Sequence, residues 1–342
     1  MDLRNVALAA GSTVLAALVG LWIAAYATVP NPQLVTQGSG FVAFDPEIGM
    51  VPKPNARTHR IDGPTPNRGP LVYDIYTDDR GARVDTPGQK SPSHVDMMVI
   101  GCSFTFGHPI QNPDTYAAHL RRDLGVSVSN FALVGYGTTQ SLQMLKRNRD
   151  LKPKLVVYGF ITAHLDRNVM ACAPSYHPFC LDVSHVAWDE AGKPRLEPPR
   201  SDGVSRAQEH LDRDYYNPAI WLTHGVDVIQ GRLEKSWDDD HFPTMARREE
   251  AFAFQLHDMQ RTVADMGAQL LVVYIPWRYE PAPPELARAI GKTRLLDLTL
   301  AFERHRDAGE QLYVVDDGHP NEAAHAIIAD EIERYTRREG LL

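Results

Sequence analysis

The first apolar stretch of the chain is unbroken: from Val6 to Val29 no charged residue occurs. A helix of that length spans the ~30 Å hydrocarbon core of a bilayer. Arg4 precedes the stretch and the next basic residue is Lys53. The bias of basic residues toward the cytoplasm then predicts an inside N-terminus and an outside location for everything after Pro30. Ala25-Tyr26-Ala27 has the small-x-small spacing of a signal-peptide cleavage site, so secretion after cleavage is the alternative. Both readings export the remainder.

Residues 30–95 have few long apolar runs. The alternation Leu71-Val72-Tyr73-Asp74-Ile75-Tyr76, followed by the turn cluster Thr77-Asp78-Asp79-Arg80-Gly81, predicts a stalk and a small β-rich segment. The pattern changes near residue 96. Apolar runs at 97–101, 126–132, 154–161, 268–276 and 311–316 predict five strands. Helical periodicity covers 114–125, 138–150, 246–267 and 321–339, and most of 284–306. Residues 166–245 are irregular and proline-rich. Near-continuous apolar strands alternating with helices predict an α/β fold whose parallel sheet is covered on both faces. The organisation is thus an anchor over 1–29, a stalk and β-rich segment over 30–95, and an α/β domain over 96–342 with an insertion.

The chain has 342 residues, which fits one α/β domain with additions or two modest domains. Its net charge of −8 argues against nucleic acid as a partner, because phosphate neutralisation needs a basic face. The cysteines are Cys102, Cys172 and Cys180. The last two bracket a short loop with two prolines, and an oxidising compartment favours closing it as a disulfide; two unrelated thiols are the alternative. His177 lies between them, but the spacing matches no zinc site. No metal or organic cofactor is implied.

In parallel sheets ligands sit outside the carboxyl ends of the strands. Gly101-Cys102-Ser103-Phe104-Thr105-Phe106-Gly107 puts Ser103 at such an end. A serine hydroxyl is a poor nucleophile without a base in hydrogen-bond reach. His319, after the last predicted strand and before the last helix, can be that base. Asp316 or Asp317 can orient it and stabilise its protonated form. The second glycine of the first motif comes at 107, so it is not a G-x-S-x-G elbow. No Gly-Lys-Ser/Thr follows, so it is not a phosphate loop. A structural turn with Ser103 capping a helix is the bland reading of this motif alone.

Taken together the blocks resemble the SGNH, or GDSL-like, hydrolase superfamily over residues 96 to 340. GCSFTFG stands where the family has its GDS block. Asn130-Phe131-Ala132-Leu133-Val134-Gly135 stands at its glycine block, and Asp316-Asp317-Gly318-His319 at its Asp-x-x-His block. The resemblance implies a three-layer α/β/α, flavodoxin-like fold with a five-stranded parallel sheet. It implies a Ser103–His319 pair with Asp316 or Asp317, and an oxyanion site from the backbone of Ser103 and Gly135. It further implies ester hydrolysis or acyl transfer on an acylated cell-envelope substrate such as polysaccharide, at a bacterial inner membrane with the domain in the periplasm. A separate membrane acyltransferase is a candidate partner. Two blocks depart from the family. Cys102 replaces the GDS aspartate and reads as a small buried residue, with a thiol nucleophile as the lesser alternative. The third block lacks its Asn-Asp pair; His164, or Asn168 if its loop curls, would have to complete the oxyanion site. These departures keep a second reading open, a catalytically impaired module that binds envelope polysaccharide. His108, His257 and His325 read as surface or helix residues, and Trp277, Arg278 and Tyr279 as rim residues suited to substrate contact or packing.

Overall fold

The structure is a computed structural model that describes residues 12–13, 15–20, 23, 35–38, 40–62, 64–173, 181–199 and 243–342. Five parallel strands form its centre: β7 (Met97–Gly101), β8 (Val128–Asn130), β9 (Leu155–Phe160), β14 (Gln269–Tyr274) and β15 (Arg294–Asp297). They lie in the order β8-β7-β9-β14-β15, the 2-1-3-4-5 arrangement of a flavodoxin-like sheet. Met97, Val99 and Ile100 of β7 and all of β9 are buried, as expected for strands covered on both faces. Each such aliphatic side chain contributes roughly 1.5–3 kcal/mol on burial.

The strand order dictates where the helices go. From β7 the chain steps to β8, then back past β7 to β9, and onward to β14 and β15. Right-handed crossovers therefore place the first helix on one face and the next three on the other. Tyr116–Leu124 packs against the last helix, Glu322–Glu339, which also meets Thr299–Asp307. Met245–Asp265 packs against Thr138–Arg147 and Pro284–Ile290. Side-chain caps fix several starts: Thr115 accepts from the N–H of Ala118, Thr244 from Arg247 and Asn321 from Ala324.

Two expectations need correction. The sheet is mixed and nine-stranded, because β1 (Val35–Gly38), β4 (Arg57–Asp62), β5 (Leu71–Thr77) and β6 (Arg83–Val84) extend it beyond β8 with antiparallel pairings. The β-rich segment is continuous with the main sheet; only β2 (Val42–Asp45) and β3 (Gly49–Pro52) form a hairpin of their own. The fifth parallel strand is β15, inside a stretch expected to be mostly helical. Residues 311–316 make only a Tyr313–Pro320 bridge and then turn, with the N–H groups of Asp317 and Gly318 both donating to the Val314 carbonyl. Val315, apolar in sequence, is 41% exposed there.

Within the insertion, β10 (Cys172–Ala173) pairs with β11 (Leu181–Asp182), and β12 (His185–Trp188) with β13 (Pro194–Glu197). Cys180 lies outside the described residues, as does most of the apolar N-terminal stretch. Among the described residues no helix is long and apolar enough to cross a membrane.

Candidate active site

Ser103 opens a single-turn helix, Ser103–Phe106, directly after β7, with Cys102 at its N-cap and Gly107 closing it in the left-handed region. The turn is this sharp because Gly101 has φ 153 and a Cβ there would collide with the Thr105 side chain and the Gly159 carbonyl. Asn130 ties this helix to the end of β8: its amide donates to the Thr105 carbonyl at 2.9 Å and its oxygen accepts from the N–H of Ala132 at 3.1 Å. The Leu133 N–H donates to the Gly101 carbonyl, so the loop carrying Gly135 is held against the end of β7. Among the described residues, no acceptor takes the backbone N–H of Ser103 or Gly135. Cys102 is fully buried beneath them.

The chain brings His319 to this point from the far end of the sequence. Its Nε2 lies 2.8 Å from Ser103 Oγ, and its Nδ1 lies 2.6 Å from Asp317 Oδ1. The same carboxylate oxygen accepts from the backbone N–H of His319 at 3.1 Å. Nδ1–H therefore donates to Asp317, leaving Nε2 as the acceptor for the serine hydroxyl. Burial pushes the Asp317 carboxyl up, but the hydrogen bonds from the ring and backbone N–H of His319, with the favourable electrostatics of that ring and of His108, outweigh burial and hold it down at about 2.

Asp316 is turned away from the ring. It adopts φ 60 and accepts from Thr65 Oγ1 at 2.6 Å and from Asn67 Nδ2 at 3.1 Å; these bonds lower its pKa. Of the two aspartates, only Asp317 touches His319. Asp316 instead joins this loop to the segment before β5.

The third crossover also faces inward. His164 opens the short helix His164–Arg167 after β9 and is fully buried. The Tyr158 hydroxyl donates to Thr138 Oγ1 at 2.8 Å and accepts from His164 Nδ1 at 2.7 Å. His164 Nε2 is sealed from solvent with no partner. Enclosed in this way it presents no donor to a crevice, contrary to the expectation for it. Asn168 does not reach in either: its oxygen accepts from the N–H of Thr138 at 2.8 Å, capping the helix Thr138–Arg147, and its amide donates to Thr138 Oγ1.

Sequence reasoning missed His108. It is 8% exposed and lies edge-on to His319, with ring centroids 4.7 Å apart. The Tyr73 hydroxyl sits 2.8 Å from its Nδ1, and its Nε2 lies 3.9 Å from Asp62 Oδ2 and 4.0 Å from Asp317 Oδ2. Its backbone N–H returns to the Ser103 carbonyl, the one local signal of its place. His325 is a helix residue as expected, yet it is fully buried beside Tyr116. His108, Asp317 and His319 offer ligand atoms within 4.8 Å of one another, a spacing that could hold a metal ion. Both ring nitrogens of His319 are already engaged by Asp317 and Ser103.

Trp277 and Arg278 stand on the rim beside His319. Both are exposed, and a Cβ on Gly318 would lie 3.3 Å from Trp277 Nε1 and 3.5 Å from Arg278 Nε. Arg278 and Tyr279 are consecutive non-glycine residues with positive φ, 51 and 66. Such backbone costs on the order of 1–3 kcal/mol per residue and concentrates at ligand sites.

No protein-family model matches the chain, and no curated protein matches it. Among solved structures it is similar to TesA, at 16% identity over 72% of this chain and 99% of that one, with a TM-score of 0.38. A protein described as lipolytic and of the G-D-S-L family, from Desulfitobacterium hafniense DCB-2, is 12% identical over 70% and 97% of the two chains, TM-score 0.32. A carbohydrate esterase family 2 enzyme with a carbohydrate-binding domain, from Corynascus thermopiles (Myceliophthora fergusii), is 15% identical over 91% and 97%, TM-score 0.39. Likenesses this distant say nothing of chemistry, which rests on the side chains of the chain itself.

Proposed function

We propose that the chain is a serine-dependent ester hydrolase or O-acyltransferase acting on an acylated envelope glycan. The observation that carries this reading is the unbroken relay from Ser103 Oγ to His319 Nε2 at 2.8 Å and from His319 Nδ1 to Asp317 at 2.6 Å. In the proposed reaction Ser103 Oγ attacks the ester carbonyl as its proton passes to His319 Nε2. The Nδ1–H bond to Asp317 stabilises the imidazolium. The unpaired N–H groups of Ser103 and Gly135 are suited to the oxyanion. The proton then goes to the departing alcohol, and water or a saccharide hydroxyl takes the acyl group from the serine. Two donors rather than three imply a slower enzyme, since one such donor is worth roughly 10²–10³ in turnover.

The exposed Trp277 ring beside Gly318 supports a saccharide as the alcohol portion, because indole faces cover apolar sugar surfaces. The uncharged stretch from Val6 to Val29 supports an anchored, exported enzyme, with a membrane acyltransferase as a candidate donor of acyl groups. A fluorophosphonate probe tests the centre of the proposal. Labelling of wild type, lost in Ser103→Ala together with p-nitrophenyl acetate turnover, is expected. Undiminished turnover in purified Ser103→Ala would overturn it.

A further inference from the structure

We propose that His108 is a positioning residue for this reaction, holding the free oxygen of Asp317 and through it the imidazole of His319. The inference rests on the serine-hydrolase reading above. His108 is buried where a polar ring needs a reason to be, since its neighbours must satisfy two nitrogens. Tyr73 supplies one partner. Its hydroxyl lies 2.8 Å from His108 Nδ1 and also reaches Asp62 Oδ2 at a longer 3.4 Å. The atoms facing Nε2 are carboxylate oxygens of Asp62 and Asp317, which can only accept, so the hydrogen of the neutral ring belongs on Nε2 and Nδ1 accepts from the hydroxyl. That Nε2–H faces Asp317 Oδ2 and Asp62 Oδ2 at 4.0 and 3.9 Å, separations that a single water bridges with two ordinary hydrogen bonds. Asp317 Oδ1 is committed to His319, so Oδ2 is the oxygen left to be held.

The surroundings keep His108 neutral, hence a donor rather than a second cation. Burial is the largest influence, and His319, Arg60 on β4 and Arg83 on β6 act in the same direction. Asp317 opposes them, and Asp62 of β4 lies 3.9 Å away, bonded to Arg60 at 2.9 Å. Tyr73 from β5 completes the shell. A charged His108 would compete with the imidazolium of His319 for Asp317 and weaken the base when it is needed. A neutral one fixes the carboxylate without that competition.

The test uses the full chain and p-nitrophenyl acetate, with kcat and KM measured against pH for wild type, His108→Phe, His108→Gln and Tyr73→Phe. Outer partners that orient a histidine are worth roughly ten-fold to a hundred-fold. His108→Phe is expected to lose at least ten-fold in kcat with KM unchanged. Its acid limb should also move to higher pH, because Asp317, freed of one donor, holds the imidazolium more tightly. His108→Gln, whose amide N–H can stand in for Nε2–H, should restore most of kcat and the wild-type limb. Tyr73→Phe should fall between them. Equal losses in Phe and Gln variants with an unmoved limb would show packing alone and overturn the proposal, as would unchanged kcat in His108→Phe. Wild type without Ser103-dependent turnover would sink the serine-hydrolase reading as well, a distinguishable failure.

Discussion

His319 and His164 lie on one rim of the sheet, His164 beyond β9 and His319 in the turn before the last helix, and they end with opposite characters. His319 is partly open, and both of its nitrogens are engaged, one by a carboxylate and one by a hydroxyl. His164 is sealed, bonded on one side to Tyr158 and bare on the other. Residue type and a place on the rim do not separate them. What separates them is the neighbouring acid: Asp317 sits two residues before His319 and reaches its ring, whereas no carboxylate appears among the contacts of His164. A histidine beyond a strand end becomes a base only when something nearby stabilises its charged form and leaves its other nitrogen open to the nucleophile.

The sharpest way to break this comparison is at the two aspartates. Asp317→Asn should reduce kcat on p-nitrophenyl acetate by about 10⁴, because the wrong ring tautomer would face Ser103. Asp316→Asn should leave kcat within about three-fold and weaken only the contact to Thr65 and Asn67, worth roughly 0.5–1.5 kcal/mol per hydrogen bond. A larger effect at 316 than at 317 would reverse the assignment.

At His164 the opposite split is expected. His164→Ala opens a cavity between Tyr158 and Phe160 and should cost roughly 2–4 kcal/mol in urea unfolding, as large-to-small core changes do. Turnover per folded molecule should stay within about three-fold. A loss of a hundred-fold would restore the ring to the oxyanion site.

A smaller effect sharpens the same contrast through pH. His108, His164 and His325 are all buried, and burial is the largest cause holding each below its ordinary value, His325 at about 3. Folded pKa values below the unfolded ~6.5 mean that the unfolded chain takes up protons the native state refuses. Their penalty is absent well above pH 6.5 and grows as pH falls below it. Each group can contribute at most about 1.4 kcal/mol per pH unit to that slope. Urea titrations at falling pH should show His325→Phe with the flatter dependence; an unchanged slope would refute the account.

Much of the centre was legible because it depends on local pattern. The runs at 97–101 and 155–160 carry no charged residue, which is how a parallel strand buried on both faces reads. The run at 311–316 looks similar and is not a strand, because Asp316 must swing into the left-handed region to meet Thr65, far away in sequence. The edge strand β15, Arg-Leu-Leu-Asp, is four residues between two helices, too short to interrupt a helical period. His108 was illegible for the same reason as Asp316: its partners Tyr73 and Asp62 belong to strands that add to the sheet from the other side of Ser103 in sequence. Ser103, His319 and the aspartates were readable because short motifs mark them. Which aspartate meets the ring is a matter of one φ angle.

Arg83 carries a consequence for where the folded domain begins. This guanidinium is fully enclosed, burial draws its pKa down to about 10, and no carboxylate lies within ion-pair distance of it among the described residues. It spends its hydrogens on the carbonyls of Phe106, Gly107, Ile110 and Asp74 and on the Asn112 side chain. One side chain from the antiparallel half thus knots together the loop that runs on from the nucleophile helix. A fragment starting near residue 96, where the hydrophobic pattern suggests a clean cut, would lose that knot along with Tyr73 and Asp62. It would take the donor from the buried Phe106 and Ile110 carbonyls and the Asn112 side-chain oxygen and leave the Gly107 carbonyl only the N–H of Ile110, so the minimal folded unit reaches back at least to β4.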